Sequence, residues 1–247
     1  MPAMPAGISA CLFDLDGVLT QTDLVHTAAW QEMFDTFLRK RATRTGEPFI
    51  PFDPVSDYGR YVDGKPRADG ARSFLASRGI ELPEGGDEDD PGAETVRSLS
   101  DTKNAILLRR IAEDGVQAYP GSVRYLRAVL AAGRECAVVS ASANCRAVLA
   151  AAGLLDDFQV VVDAAVTDRE QLRGKPAPDT YLAAARMLGV PPAAAAVYED
   201  AQAGVAAGRA GGFGWVVGVD RMGQADALRR EGADVVVHDL AELTNGE

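Results

Sequence analysis

Two aspartates, Asp14 and Asp16, follow an apolar run at residues 8–13 and precede Gly17. The run is typical of a buried strand, and side chains two apart in extended backbone point to the same side. Carboxylates this close repel unless a cation or a shared proton compensates. The pattern therefore suggests a hard metal such as Mg²⁺, with one acid as nucleophile and the other as acid/base. The alternative is a pair of turn aspartates.

Three later positions carry further polar groups after short β-rich runs. Residues 139–144 offer hydroxyls and the start of a helix, which suits an anion, although Ser140 could be an ordinary N-cap. Lys175 stands in a proline-stiffened loop and suits phosphate, with an exposed surface lysine as the alternative. Glu199 and Asp200 could be ligands or a capping pair. The four positions together indicate a phosphoryl-transfer site.

The elements that position these groups alternate between strand and helix. Together with 8–13, β-rich runs occur at 137–140, 160–162, 195–198, 215–219 and 235–237. Ala-rich helical stretches lie between them, at 122–132, 146–152, 180–188 and 203–210. This alternation predicts an α/β fold with a parallel sheet covered on both faces and its site beyond the strand C-termini. A largely helical block interrupts the pattern. Its apolar residues from Leu24 to Phe37 fall on one helical face, 47–61 is expected to be irregular, and 82–92, with the acidic run 87–90, is expected to be a surface loop. We expect a core of residues 1–22 and 117–247 and an inserted helical cap at 23–116.

The motifs resemble the haloacid dehalogenase superfamily in nearly the whole chain. This resemblance implies a Rossmann-like core with a helical cap inserted after the first motif. It implies that Asp14 is the nucleophile that becomes an aspartyl phosphate and that Asp16 is the general acid/base. It also implies a Mg²⁺ site formed by Asp14, Glu199, Asp200 and the backbone carbonyl of Asp16. The resemblance assigns phosphate binding to Ser140, Ala141 and Lys175. The dehalogenase branch is disfavoured because it has no use for a second acid at Asp16.

Closer matching points to the β-phosphoglucomutase-like group of that superfamily. The segments 12–22, 140–144, 175–179 and 199–204 are similar to that group, and 64–69 aligns with its substrate loop. The implied substrate-binding residues are Thr22, His26, Trp30, Arg67, Lys103, Ser142 and Asn144. Arg67 could instead be a solvent-facing loop arginine, and His26 a satisfied hinge histidine. Gln21, Asp63 and Gly70 depart from the group's pattern, and the cap is longer, so the identity of the sugar is open.

The 247 residues carry a formal charge of −11, which argues against nucleic acid or an anionic membrane as the main partner. The three cysteines have no metal-type spacing and are typical of reduced, mostly buried thiols. Residues 1–7 lack a basic and apolar leader pattern, and no apolar run is long enough for a membrane span. We expect a cytoplasmic monomer that acts on a small phosphorylated sugar.

Three functional hypotheses follow from the sequence. The first is a β-phosphoglucomutase that converts β-glucose 1-phosphate to glucose 6-phosphate through the 1,6-bisphosphate. The second is a sugar-phosphate phosphatase with the same first half-reaction, in which water attacks the phosphorylated Asp14. The third, a sugar-phosphate binder without turnover, would require a damaged nucleophile or metal site, and the sequence has neither.

Overall fold

The computed structural model describes residues 4–86 and 92–244, with the side chains of Asp23 and Asp114 excepted. The chain divides into two compact units. The first unit combines Met1–Thr22 with Val116–Glu247, and the second unit is Asp23–Gly115. The acidic run 87–90, which the sequence places in a surface loop, lies outside the described residues. In the described part of the chain, no helix is both long and apolar enough to cross a membrane.

The first unit is built on a parallel sheet, as the strand–helix alternation predicts. Among the described residues the sheet has six strands in the order β3-β2-β1-β4-β5-β6. They are β1 (Ala10–Phe13), β2 (Glu135–Val139), β3 (Val160–Val162), β4 (Ala195–Glu199), β5 (Trp215–Val219) and β6 (Val235–Val237). Because all strands are parallel, their carboxyl ends lie at one edge. The central strand β1 pairs with β2 and β4.

The helices of this unit lie between the strands in the sequence. They are α4 (Pro120–Ala131), α5 (Cys145–Ala151), α6 (Ala164–Arg169), α7 (Asp179–Leu188), α8 (Gln202–Ala210) and α9 (Ala225–Glu231). The sequence patterns indicated four of them, and missed α6 and α9, which have only six and seven residues. Helix α5 also has only seven residues, but nearly all of them are apolar, whereas α6 and α9 are short and contain too few apolar residues for a helical period to be recognised.

Both faces of the sheet are buried, which explains the near-continuous apolar strands. Ala10 and Leu12 belong to a core cluster with Tyr181 of α7 and Val205 of α8. The alternate residue Phe13 instead stacks on Tyr198, with ring centroids 4.5 Å apart, and meets Tyr125 of α4 edge to face. The three cysteines, Cys11, Cys136 and Cys145, are buried and free, as expected.

The second unit contains most of α1 (Thr22–Thr45), together with α2 (Arg67–Ser77) and α3 (Val96–Asp114). Its core is aromatic, with Phe34 packed against Trp30, Phe52 and Phe74. Helix α1 runs beyond the apolar pattern that ends at Phe37, because the basic residues that follow favour helix and no breaker precedes Gly46. The stretch 47–61, expected to be irregular, contains no regular helix before a single π-helical turn at Tyr58–Val62.

Candidate active site

Asp14 stands at the carboxyl end of the central strand, one residue after β1. Its backbone N–H donates to the carbonyl of Tyr198 on β4, so the sheet itself fixes this position. The Nζ of Lys175 lies 2.5 Å from Oδ1 of Asp14 and 2.5 Å from Oε1 of Glu199. It also donates to the carbonyl of Val139 at 3.1 Å. Lys175 is 4% exposed, so the alternative of an exposed surface lysine is wrong.

Three buried carboxylates, those of Asp14, Glu199 and Asp200, form one cluster. One oxygen from each lies within 4.8 Å of the others. These are hard oxygen donors with excess negative charge, so the cluster fits a divalent cation such as Mg²⁺. Asp16 was expected to add its backbone carbonyl to this set, and its carboxylate is outside the cluster. Glu199 and Asp200 do not cap α8, whose N-cap is Ala201.

Burial and charge act on the pKa of Asp14 in opposite directions. Burial raises the pKa of its carboxyl well above the usual range, the Lys175 ammonium lowers it, and Glu199 and Asp16 raise it further. Burial lowers the pKa of Lys175, but the carboxylates of Asp14 and Glu199 outweigh burial and raise it, so the lysine stays charged. One ammonium therefore faces several carboxylates, and an additional cation would relieve their repulsion.

Two glycines allow close approaches in the site. They lie where the acidic loops, which are the loop after β1 with Asp14 and Asp16 and the loop after β4 with Asp200, meet each other and the neighbouring helix α8. Gly17 has a φ of +83°, and a Cβ there would lie 1.8 Å from Oδ2 of Asp200. Gly204 is in α8, where a Cβ would lie 1.7 Å from Oε1 of Glu199. Any side chain at either position would displace a carboxylate of the cluster.

Asp16 has a partner different from that of Asp14. Its Oδ1 accepts a short hydrogen bond from the hydroxyl of Thr22, the first residue of α1. Thr22 is buried, and its hydroxyl also lies 2.8 Å from that of Thr20. The two aspartates are thus held separately, one against a lysine and one against a hydroxyl.

The loop after β2 contains the predicted phosphate-binding hydroxyls. Ser140 Oγ accepts the backbone N–H of Ser142 at 3.1 Å, and Ser142 Oγ accepts that of Asn144 at 3.1 Å. Each hydroxyl therefore keeps its own proton for donation to an anion. The N-cap of α5 is Asn144, so the alternative of Ser140 as an N-cap is wrong. Ala141 follows Ser140 and is half-buried.

Four predicted substrate residues lie in the second unit. The Nζ of Lys103 lies 3.1 Å from Nδ1 of His26 and 5.2 Å from the ring centroid of Trp30. Lys103 is 3% exposed. Arg67 is half-buried at the start of α2 and donates to the carbonyl of Ser100 at 3.0 Å, rather than pointing freely into solvent. Burial lowers the pKa of the Arg67 guanidinium, and the nearby carboxylate of Asp101 partly offsets this by raising it.

Tyr181 is a site residue that the sequence patterns did not identify. Its hydroxyl donates to Oε1 of Glu199 at 2.8 Å, and its ring lies 5.0 Å from Nζ of Lys175. Burial, reinforced by Glu199, raises its pKa well above the usual range, so the hydroxyl stays protonated. The sequence signal was weak because Tyr181 belongs to the apolar face of α7, where an aromatic residue is typical of core packing.

Comparison with known proteins agrees with this geometry. Residues 8–212 match the haloacid dehalogenase-like hydrolase family. The chain belongs to this family. The family includes phosphotransferases and phosphatases, and the chain has the second acid, Asp16, for which the dehalogenase branch has no use, so the protein is an enzyme of phosphoryl transfer. The resemblance found in the sequence motifs is thereby confirmed, and so is the expected fold class.

The chain is similar to named relatives over almost its full length. It is 58% identical over 243 residues to a β-phosphoglucomutase of Mycobacterium tuberculosis, covering 97% of this chain and 93% of the relative. It is 31% identical to hexitol phosphatase A of Escherichia coli, covering 94% and 92%. The crystal structure of β-phosphoglucomutase from Clostridium difficile matches with a TM-score of 0.73 at 28% identity, covering 96% and 94%.

Proposed function

We propose that the protein is a Mg²⁺-dependent β-phosphoglucomutase that converts β-glucose 1-phosphate to glucose 6-phosphate through the 1,6-bisphosphate. The observation that carries the proposal is the separate placement of two aspartates: Asp14 against Lys175, and Asp16 against Thr22. A nucleophile and an acid/base need such different surroundings. The similarity to a β-phosphoglucomutase across both units supports the choice of substrate.

The reaction starts from Asp14 carrying a phosphoryl group. The 6-hydroxyl of β-glucose 1-phosphate attacks phosphorus, the bond from phosphorus to Asp14 breaks, and the carboxylate of Asp16 takes the hydroxyl proton. The product is β-glucose 1,6-bisphosphate. Because Thr22 donates to the Asp16 carboxylate, we assign Thr22 the role of orienting this base before transfer.

In the second half-reaction the bisphosphate presents its other phosphate. Asp14 attacks the phosphorus on O1, the bond from phosphorus to O1 breaks, and protonated Asp16 returns its proton to O1. Glucose 6-phosphate leaves, and Asp14 is phosphorylated again. Lys175, Ser140, Ser142 and the backbone at Ala141 hold the oxygens of the transferred group and stabilise their charge.

Asp14, Glu199 and Asp200, with the backbone carbonyl of Asp16, would hold Mg²⁺. When bound, the ion supplies positive charge that balances the carboxylates and the phosphoryl oxygens. We assign the first unit as the catalytic core and the second as the cap. His26, Trp30, Lys103 and Arg67, together with Asn144 of the core, are assigned to recognition of the sugar phosphate, with Arg67 gripping the phosphate that is not being transferred.

The proposal is tested by ³¹P NMR of the protein with Mg²⁺, β-glucose 1-phosphate and a trace of glucose 1,6-bisphosphate. Growth of glucose 6-phosphate with little inorganic phosphate is the expected result. The α anomer of glucose 1-phosphate is the matched control, and it should give no glucose 6-phosphate. Inorganic phosphate as the main product from the β anomer would contradict the mutase.

That contrary outcome defines the second candidate, a sugar-phosphate phosphatase. It is favoured by the similarity to hexitol phosphatase A and by the step that both reactions share, in which Asp14 takes a phosphoryl group from the substrate. If this protein is a phosphatase, water rather than a sugar hydroxyl attacks phosphorylated Asp14, and Asp16 takes the proton of the water. A mutase must exclude water from phosphorylated Asp14, and the NMR product ratio measures how well it does so.

A further inference from the structure

The loop between β5 and α9, residues 220–224, contacts both acidic loops of the active site through their backbones. The Nε of Arg221 donates to the carbonyl of Gly17 at 2.9 Å. The Nε2 of Gln224 donates to the carbonyl of Asp200 at 2.9 Å. Gly17 follows the proposed acid/base, and Asp200 belongs to the carboxylate cluster. Neither bond uses a side chain that the proposed chemistry needs.

Arg221 is itself held rigidly on several sides. Its guanidinium carbon lies 3.6 Å from the ring centroid of Tyr119. Its Nη1 donates to the carbonyl of His238 at 2.7 Å, and its side chain is only 11% exposed. A planar guanidinium with several fixed partners is pre-organised, so its bond to Gly17 is held in one direction.

Gln224 is fixed in a similar way. Its backbone N–H donates to Oδ1 of Asp220 at 2.7 Å, and its side-chain oxygen accepts from Nε2 of Gln202 at 3.1 Å. Gln202 is the first residue of α8, the helix whose Gly204 lies against Glu199. The loop therefore connects to the acidic loops after β1 and β4 and to α8.

We propose that loop 220–224 is a brace that positions the acidic loops of the active site, with Arg221 and Gln224 as positioning residues. The contact between Gly17 and Asp200 shows why a brace is needed. The backbone of Gly17 lies so close to the Asp200 carboxylate that no Cβ would fit between them. Even a small shift of either loop therefore changes the distance between the Asp16 turn and the Asp200 carboxylate. Outer contacts of this kind typically change activity or metal affinity by about 10- to 100-fold when removed.

The test compares Arg221→Ala and Gln224→Ala with Arg209→Ala. Arg221 binds carbonyls, and its Nη1 also lies 3.4 Å from Oδ2 of Asp239. Arg209 is the matched control because it likewise binds a carbonyl and a carboxylate, those of Gly232 and Asp234, but at the amino end of β6. Mg²⁺ alone is the probe in isothermal titration, and kcat and KM are measured with β-glucose 1-phosphate. We expect about a tenfold weaker Mg²⁺ affinity and lower kcat for both loop variants, against no change for Arg209→Ala.

Guanidinium rescue separates positioning from general destabilisation. Millimolar guanidinium chloride should restore part of the kcat of Arg221→Ala but not that of Gln224→Ala, since only the first variant leaves a guanidinium-shaped space. If Arg221→Ala does not fold, Arg221→Lys, which keeps the charge and loses the fork, takes its place and should show the same weaker Mg²⁺ affinity. Loop variants that match Arg209→Ala in Mg²⁺ affinity and kcat would overturn the brace.

The kinetic readout rests on the proposed function, but the Mg²⁺ titration does not. If the wild-type protein fails to make glucose 6-phosphate, the proposed function fails, while the difference in Mg²⁺ affinity between the loop variants and Arg209→Ala still decides the brace. If the wild type is active and this difference is absent, only the brace fails.

Discussion

At the scale of single residues, Asp14 combines burial with a lysine partner and two further acids. Replacement by asparagine keeps the shape and removes the nucleophile. We expect Asp14→Asn to lower turnover by about 10⁴-fold or more while the protein stays folded. The rate is measured by coupled oxidation of glucose 6-phosphate, and folding by thermal melting.

Asp163→Asn is the matched control for Asp14→Asn. Asp163 is also a buried aspartate directly after a strand, but it caps α6 and pairs with Arg146. Its replacement should reduce stability and leave turnover intact. Substantial turnover in Asp14→Asn, with normal melting, would remove Asp14 from the role of nucleophile.

Tyr181 tests how much a single hydroxyl contributes to the carboxylate cluster. Tyr181→Phe removes one donor from Glu199 and leaves the Lys175 ammonium and the backbone N–H of Ala201. We expect a loss of about 1.5–3 kcal/mol in the free energy of unfolding, because hydrogen bonds to charged groups contribute this much. Urea unfolding in the presence of a chelator measures that loss, and titration with Mg²⁺ should show an altered affinity.

Tyr125→Phe provides the comparison for Tyr181→Phe. Its hydroxyl is also buried and hydrogen-bonded, to Tyr198 at 2.7 Å, but on the other face of the sheet. A smaller stability loss is expected, because both hydroxyls are neutral, and Mg²⁺ affinity should be unchanged. If the two variants bind Mg²⁺ equally well, the Tyr181 hydroxyl has no role in arranging Glu199.

These residues also show what sequence can reveal about a site. Asp14, Lys175 and Glu199 were identified because charged groups at strand ends stand out against apolar runs. Tyr181 and Arg221 were not, because their roles depend on contacts with Glu199 and Gly17 that are 18 and 204 positions away. Only the packing of α7 and the return of the chain after β5 create those contacts.

At the scale of elements, the parallel sheet was predictable because each strand is an apolar run that ends in polar residues. Helix lengths were less so: α1 continues past Phe37 through basic residues that a pattern of apolar spacing does not detect. Helix α8 shows how an element's surface shapes the site. Its Gly204 leaves room for Glu199, whereas its Gly208 lies against the apolar strand residues Val197 and Val216.

Gly204→Ala and Gly208→Ala therefore test one helix at two places. Alanine normally favours a helix by up to about 1 kcal/mol over glycine. At Gly204 that gain is outweighed, since the Cβ would lie 1.7 Å from a Glu199 oxygen, and we expect lower stability and weaker Mg²⁺ binding. Gly208→Ala meets side chains at 3.2 and 3.3 Å and should leave Mg²⁺ affinity unchanged. Equal Mg²⁺ affinities would contradict the proposed crowding at Glu199.

At the scale of the whole molecule, a net charge of −11 must be reconciled with the anionic substrate that we propose. The cations proposed for phosphate recognition lie in protected positions within their own units. Lys175 is buried in the first unit, and Lys103 and Arg67 are buried or half-buried in the second. Cations held in this way lose less hydration on meeting a phosphate than exposed ones do, because part of the desolvation has already occurred in folding. The sequence predicted these positions but could not predict their burial.

Arg67 tests whether the second unit recognises the sugar phosphate. Arg67→Ala removes a guanidinium capable of two parallel bonds to phosphate, so we expect KM for β-glucose 1-phosphate to rise by about tenfold. Turnover of p-nitrophenyl phosphate, which has no second attachment point on a sugar, should hardly change. Arg72→Ala is the control on the same helix, because Arg72 is exposed and pairs with Glu84 and Asp69. Equal losses on both substrates, or an equal rise in KM for Arg72→Ala, would mean that Arg67 supports the fold of α2 rather than the choice of substrate.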